Sequence, residues 1–274
     1  MKTKRNHGFT LIELLVVITI IAILGSLAMS QFTNAQRTAN QMKGVSNAKQ
    51  IIIALKQFAA QNNSQYPDSV ATAAGGGATG GSMAASSNDA FRNMIMEGVV
   101  TDERIFGCPA GFNSKDNNSL GTAPGYGQAL LPGENHWAMT QGQTDTSVGN
   151  MPMVFENPIS QAWPPQWNVD RAGQIAPGRT WVGGQIIVGR NDGSVEVINL
   201  NAKKGIAGAR QTNGHDMFTQ ASQGQTLGVL NILVPHGASD GISDPPFGKQ
   251  PGLGTPPSPL GQPAGLPPAP LGNP

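Results

Sequence analysis

The sequence is poor in charge, in cysteine and in aromatic residues. Only 12% of its 274 residues are charged, 17 basic against 16 acidic, which argues against a strongly basic nucleic-acid-binding protein. Cys108 is the single cysteine, so the chain has neither an internal disulfide framework nor a zinc cluster built from several thiolates. The four histidines are widely separated and show no H-E-x-x-H spacing. Composition therefore disfavours a metalloenzyme.

Glycine and proline are instead abundant, with 36 and 21 residues, and 11 of the prolines fall within residues 241–274. Proline removes backbone donors and breaks helices, so such a segment cannot form regular structure. We predict a disordered tail over residues 236–274. Residues 68–90 are dominated by small residues and predict a flexible loop.

The most informative pattern lies near the N-terminus, where residues 11–24 are apolar apart from Glu13 and Thr19. Three basic residues precede this run, and no charge follows Glu13 until Arg37. A helix of about 20 apolar residues crosses a bilayer, and basic residues before it place the N-terminus in the cytoplasm. We predict a single-pass inner-membrane protein with its span over residues 11–32 and its head outside.

Three kinds of N-terminal segment fit this run: a signal peptide cut after Ala28, a permanent anchor, and a short leader cut between Gly8 and Phe9. Glu13 distinguishes them, because a carboxylate inside the membrane costs about 2.5–3.5 kcal/mol on insertion scales. Neither a signal peptide nor a simple anchor needs such an acid. An acid inside a membrane is a functional residue by default, with a partner to be named.

The segment GFTLIELLVVITIIAIL, residues 8–24, resembles the N-terminal segment of type IV pilins and type II secretion pseudopilins. The resemblance implies that a prepilin peptidase cuts between Gly8 and Phe9 and methylates the new amine of Phe9. It also implies that Glu13 pairs with the N-terminal amine of a neighbouring subunit during assembly. The alternative for Glu13 is a snorkelling or protonated carboxyl group with no role in assembly.

The resemblance further implies an α+β fold in which a long N-terminal helix packs on a small antiparallel-sheet head. The apolar positions between Ala48 and Ala59 recur at helical spacing, which agrees with this expectation. The predicted organisation is a leader over residues 1–8, a helical spine over residues 9–63, a head over residues 64–235 and the disordered tail.

Several local patterns predict elements of the head. Asp192-Gly193 separates two β-branched runs and predicts a hairpin over residues 185–198. Residues 153–155 predict a strand that Pro152 and Pro158 confine to a sheet edge or to a brief pairing, and residues 227–234 predict a third strand. Phe91, Met94 and Ile95 share one face of a short predicted helix over residues 89–98.

The head also partly resembles a group of prepilin-like proteins with a Cys-Pro pair and a late Asp-Gly pair, here Cys108-Pro109 and Asp192-Gly193. A histidine usually lies ten residues before that aspartate, whereas this chain has Val182. The departure gives no support to a functional His/Asp pair. Cys108 itself is predicted to be a buried, inert thiol.

Other candidate sites are weaker. Residues 237–241 fit G-x-S-x-G, but no helical pattern follows the serine as a nucleophile elbow requires. Some secretion pseudopilins hold calcium in the last loop of the head, so a calcium ion is an alternative, without assigned ligands. Trp163 and Trp167 could stack on a glycan, although tryptophans in a small head more often fill its core.

We therefore expect a structural subunit and not an enzyme, with no catalytic residue, no metal ligand and no cofactor. The implied partners are the prepilin peptidase, other copies of the chain, other pilins or pseudopilins, the inner-membrane assembly platform and lipid, but not nucleic acid. Secretion, adhesion, motility and DNA uptake remain alternative roles for the filament. The competing hypothesis is an exported or anchored binding protein with a conventional signal sequence, for example one that binds glycans.

Overall fold

The computed structural model describes residues 10–70, 84, 86–109, 111, 118–123, 125–210, 217–218 and 232–233. The predicted leader, the predicted tail and most of the predicted loop over residues 68–90 lie outside these described residues.

One long helix, α1 (Leu11–Gln61), joins the apolar N-terminal segment to the head. Its 51 residues span about 76 Å at a rise of about 1.5 Å per residue. The helix is capped by Asn62, and Asn63 and Ser64 then take positive φ angles of 53° and 65°. The long helix predicted from the sequence is confirmed, and it ends where the sequence places its end.

The head contains one antiparallel sheet of five strands in the order β5-β4-β2-β1-β7, together with a two-stranded ribbon of β3 and β6. The strands are β1 (Trp137–Thr140), β2 (Pro152–Glu156), β3 (Trp167–Asn168), β4 (Gln185–Arg190), β5 (Val195–Asn199), β6 (Ile206–Ala207) and β7 (Ile232–Leu233). The predicted α+β class with an antiparallel head is therefore confirmed.

The predicted hairpin is formed by β4 and β5. Gly193 takes a φ of +87°, which a residue with a side chain rarely adopts. The Asp192 carboxylate accepts hydrogen bonds from the backbone N–H of Ser194 at 2.8 Å and from its hydroxyl at 2.6 Å. The Asp-Gly pair thus closes the turn that its sequence pattern predicts. Of the predicted strand over residues 227–234, only β7 is described.

Of the two positions expected for β2, the sheet edge is wrong, because β2 lies between β1 and β4, whereas its five residues agree with a brief pairing. Pro152 is the first residue of the strand, and the pairing with β4 shifts register between Pro152 and Val154. Proline is compatible with an interior strand at its first residue or at a bulge, where the missing N–H is not required. Pro158 is the second residue after the end of the strand.

The second half of α1 packs against one face of the sheet, together with the short helix α2 (Ser87–Met96). Ile51, Leu55 and Phe58 are at most 1% exposed, and the predicted apolar face of the helix is confirmed. At the edge of this face, the Lys56 ammonium lies 2.6 Å from the Asp145 carboxylate. The opposite face of the sheet has its own aromatic core, in which Phe155, Trp167 and Phe218 are fully buried.

Gly44 lies where α1 comes close to β4. A Cβ atom at this position would lie 2.7 Å from Cδ1 of Ile187 and 3.6 Å from Sγ of Cys108. Glycine costs a helix about 1 kcal/mol relative to alanine, and here it lets the helix axis approach the sheet. Gly25, in the first half of the helix, has no such neighbour within 4 Å among the described residues.

Replacement of Gly44 by leucine should destabilise the head by about 1–3 kcal/mol, because extra side-chain atoms would force apart the packed helix and strand. The measurement is denaturant unfolding of the full chain in detergent, followed by tryptophan fluorescence. All four tryptophans lie between residues 137 and 181, so the signal reports on the head.

Gly25→Leu is the matched control, since it makes the same change on the same helix in open space. It should leave the unfolding curve of the head unchanged. Equal unfolding midpoints for the two variants would contradict the close approach at Gly44.

Candidate assembly site and buried polar cluster

The first half of α1 stands apart from the head. The side chains of residues 11–26 and 31–39 are all exposed, and Leu11, Ile21 and Leu24 are 82%, 62% and 61% exposed. Within this part, residues 11–24 are apolar apart from Glu13 and Thr19, and a contiguous exposed apolar surface of that length marks contact with a membrane or with another protein. At Gln41 the helix is already in contact with the head, since its side-chain amide donates to Gln185 at 3.1 Å.

This exposed half is long and apolar enough to cross a membrane. A signal sequence near an N-terminus meets the same criterion, so length and composition alone do not separate an anchor from a cleaved leader. The distinction depends on the residues at the start of the helix.

Glu13 forms a reciprocal cap with Thr10 at the start of α1. One oxygen of its carboxylate accepts hydrogen bonds from the backbone N–H of Thr10 at 2.8 Å and from the Thr10 hydroxyl at 2.7 Å. The backbone N–H of Glu13 donates to the Thr10 hydroxyl oxygen at 3.3 Å. Sequence analysis missed this capping box, although the spacing T-x-x-E is its signature.

Gly8 and Phe9 lie outside the described residues. Cleavage between them, methylation of Phe9 and pairing of its amine with Glu13 therefore stay predictions. A carboxylate offers about four acceptor positions on its two oxygens. The local cap at Thr10 is thus compatible with a further donor on Glu13.

A second group of polar side chains lies inside the head around Glu156. The Trp181 indole N–H donates to Oε1 of Glu156 at 2.8 Å, and Nη2 of Arg179 donates to the same oxygen at 3.1 Å. Nε2 of His136 lies 3.3 Å from this oxygen, and Sγ of Cys108 lies 4.0 Å from it. All five side chains are buried. We call Cys108, His136, Glu156 and Arg179 the buried polar cluster.

Strand alternation places Glu156 in this position. The neighbouring Phe155 belongs to the aromatic core on the opposite face of the sheet, so Glu156 points toward the face that carries α1. The backbone N–H of Ile187, in β4, donates to its second oxygen at 3.3 Å. Glu156, the last residue of β2, thereby contacts Ile187 in β4 and His136, the residue before β1. It also contacts Arg179 and Trp181 in the segment that leads into β4.

Burial and neighbouring charge act against each other in the cluster. Burial alone would raise the pKa of Glu156, but Arg179 and His136 outweigh it and the net shift is downward. Burial is the main cause that lowers the pKa of His136, and Arg179 adds to it while Glu156 opposes it. At neutral pH the cluster therefore holds a carboxylate, a guanidinium and a neutral imidazole. Cζ of Arg179 also lies 4.7 Å from the centre of the Trp181 ring.

The buried polar cluster was not predicted from the sequence. Cys108 and the histidines were candidates there, but neither was connected to Glu156 or to Arg179. Glu156 lies 20 residues from His136, 23 from Arg179 and 48 from Cys108 along the chain. No fixed spacing relates side chains that strand pairing brings together. The prediction that Cys108 is buried is confirmed.

The other candidates do not form a site among the described residues. Trp167 does not belong to the glycan surface considered above, because it is fully buried and its indole N–H donates to the Glu156 carbonyl at 3.0 Å. Trp163 is partly buried, and its ring packs edge-on against Phe218. Residues 237–241 and the histidines other than His136 lie outside the described residues.

Stability of the head should fall as the pH drops below about 6.5, and His136→Gln should reduce that fall. Because the folded state lowers the pKa of His136, the unfolded chain binds this proton at a higher pH than the folded one. Acid therefore favours unfolding, with a slope of at most about 1.4 kcal/mol per pH unit for one group. The measurement is the free energy of unfolding of both proteins at pH 8, 6.5 and 5.

The difference between the two pH profiles reports on His136 together with the part of the Glu156 pKa shift that depends on His136. Burial raises the pKa of Asp68, which acts with the opposite sign, but Asp68 is present in both proteins and its effect cancels. Parallel profiles for wild type and variant would show that His136 does not titrate differently on folding.

Comparison with known proteins finds similarity to a known family model at the N-terminal segment and to curated proteins over about a quarter of the chain. Residues 3–29 match the family model described as the prokaryotic N-terminal methylation motif. The chain is 39% identical over 64 residues to the type IV major pilin protein PilA of Myxococcus xanthus, covering 23% of this chain and 29% of that protein. It is 39% identical over 67 residues to the type II secretion system core protein G of Aeromonas hydrophila, covering 24% of this chain and 46% of that protein.

A probable minor fimbrial protein of Dichelobacter nodosus is 37% identical over 54 residues, which cover 20% of this chain and 34% of that protein. The chain thus spans less than half the length of each of these curated relatives. No solved structure matches the chain. The chain therefore carries a prokaryotic N-terminal methylation motif, and over about a quarter of its length it is similar to type IV pilins and type II secretion pseudopilins.

Proposed function

We propose that the chain is a structural subunit of a type II secretion or type IV pilus-like filament. A prepilin peptidase cleaves it between Gly8 and Phe9 and methylates the new amine, and the mature chain polymerises through α1. The observation that carries this proposal is the exposed apolar half of the helix, which the head leaves uncovered. The methylation motif over residues 3–29 supports the processing step.

The exposed half of α1 serves the subunit twice. Before assembly it lies in the inner membrane, with the N-terminus in the cytoplasm and the head outside, as the basic residues before the span require. During assembly the same surface leaves the lipid and packs against the helices of neighbouring subunits. Each environment covers the apolar side chains from Leu11 onward, so the helix is never left in water.

Glu13 sets the axial position of the incoming subunit. Its carboxylate is the acid in an otherwise apolar run, and a buried charge is stable only when it is paired. The cationic amine of Phe9 on a neighbouring chain supplies that pair. A helix shifted along its neighbour by a turn or more leaves both charges unpaired in an apolar environment, so the correct register is favoured.

The relatives are pilins and pseudopilins, and their names denote structural components of pili and secretion systems. We accordingly assign the chain no catalytic role. Its partners are the prepilin peptidase, further copies of the chain or other pseudopilins, and the assembly platform in the inner membrane.

Glu13→Ala and Glu13→Gln should each lower incorporation into filaments at least tenfold, measured in the native host as the fraction of the chain in sheared or pelleted filaments. Glutamine retains the shape of glutamate and can accept a hydrogen bond from Thr10, but it lacks the charge that pairs with an amine. The amount of chain in the membrane, measured on the same cells, should stay within about twofold of wild type.

Thr10→Ala is the matched control, because it removes the hydroxyl of the cap and leaves the Glu13 carboxylate in place. It should assemble within about twofold of wild type. Normal assembly of Glu13→Gln would contradict the charge pair. Failure of Thr10→Ala to the same degree as Glu13→Ala would show that Glu13 acts through its own helix cap.

A further inference from the structure

We propose that Cys108, His136 and Glu156 bind one transition-metal ion inside the head, and that zinc fits the donor set best. The thiol sulfur, an imidazole nitrogen and a carboxylate oxygen lie within 4.8 Å of one another, and all three side chains are buried. Thiolate, imidazole and carboxylate are the three side-chain ligands that zinc takes in proteins. The single cysteine and the sequence spacing gave no sign of such a site.

The distances suit a single ion after small side-chain movements. Nε2 of His136 lies 3.3 Å from Oε1 of Glu156, and Sγ of Cys108 lies 4.0 Å from the same oxygen. Zinc–ligand bonds of about 2.0–2.3 Å in a tetrahedral site place neighbouring donor atoms about 3.3–3.8 Å apart. The three donor atoms lie within 4.8 Å of one another, so the most widely separated pair has to approach by up to about 1 Å to bind one ion.

The surrounding residues hold the donors in place, as outer partners do in known metal sites. The Trp181 indole N–H and Arg179 donate to Oε1 of Glu156, while the backbone N–H of Ile187 donates to its second oxygen. The His136 ring packs directly on the backbone at Gly111, where an added Cβ atom would lie 2.5 Å from the ring. This packing restricts rotation of the imidazole.

Binding is an exchange of a proton for a metal and involves no redox change. The Cys108 thiol releases its proton to solvent and a zinc–sulfur bond forms, while His136 binds as the neutral imidazole. The thiolate and the carboxylate together balance the two charges of zinc, which leaves the positive charge of Arg179, 3.1 Å from Oε1 of Glu156, without a balancing anion in the cluster. Arg179 keeps its position over the Trp181 ring, 4.7 Å from the ring centre, which is a favourable place for a cation.

A metal here would act as a structural cross-link. It would join the segment after Phe106, the residue before β1 and the last residue of β2, in a chain that has no internal disulfide. Structural zinc sites are closed to solvent and contribute directly to folding stability. The complete burial of the three donors agrees with a structural role. Three side chains fill three of the four tetrahedral positions of zinc, and a water molecule or another ligand has to fill the fourth.

The test is the metal content and cobalt spectrum of the full-length chain, purified in detergent from cells grown with zinc or in zinc-limited medium with cobalt. We expect about one equivalent of zinc per chain in the first preparation. In the second we expect a near-ultraviolet thiolate-to-cobalt absorption band. Because Cys108 is the single cysteine of the chain, such a band can be assigned to it without further labelling.

Cys108→Ser should lower the bound metal at least tenfold and abolish the cobalt band. Glu97→Gln is the matched control, since it removes an exposed head carboxylate outside the cluster and should change neither result. Wild-type chain that is folded by circular dichroism but holds less than a tenth of an equivalent of metal and shows no cobalt band would overturn the proposal. A folded Cys108→Ser variant that holds as much metal as the wild type would also overturn the proposal. The wild-type spectrum decides the question even if the variants do not fold.

Discussion

The apolar half of α1 has to be covered by something other than the head, and the rest of the structure is organised around that requirement. A helix that packed along its whole length would make a compact soluble protein, but here the side chains of residues 11–26 and 31–39 are exposed. Lipid and neighbouring helices are the two environments that can cover such a surface. Under the proposed function the subunit moves from one environment to the other, and it then needs a head that is stable in both states.

The head meets this need because it takes only the second half of the helix into its core. Ile51, Leu55 and Phe58 fill the space against the sheet, and Gly44 allows the close approach of helix and strand. On the sheet, the buried polar cluster fixes the positions of β2 and β4 through Glu156. Breaking such a buried pair by removing one partner typically costs about 3–5 kcal/mol, so the cluster makes the arrangement of the strands specific.

Much of this architecture could be predicted from the sequence, because the signals are local. Helical spacing of apolar residues marked the buried face of α1, and the Asp-Gly pair marked the hairpin of β4 and β5. The interior position of β2 could not be predicted, since Pro152 alone does not reveal that it occupies the first residue of the strand beside a register shift. The buried polar cluster depends on which strands pair, and no spacing in the chain encodes contacts between residues as distant as Cys108 and Glu156.

The most direct test of the account is the N-terminal residue of the mature protein, determined by intact mass and peptide mass spectrometry. Processing as a prepilin predicts a chain that begins at Phe9 and carries a methyl group on its amine. A chain that begins at Met29 would show cleavage after Ala28 by a signal peptidase. That cleavage would remove Glu13 and most of the apolar helix, and it would contradict assembly through α1.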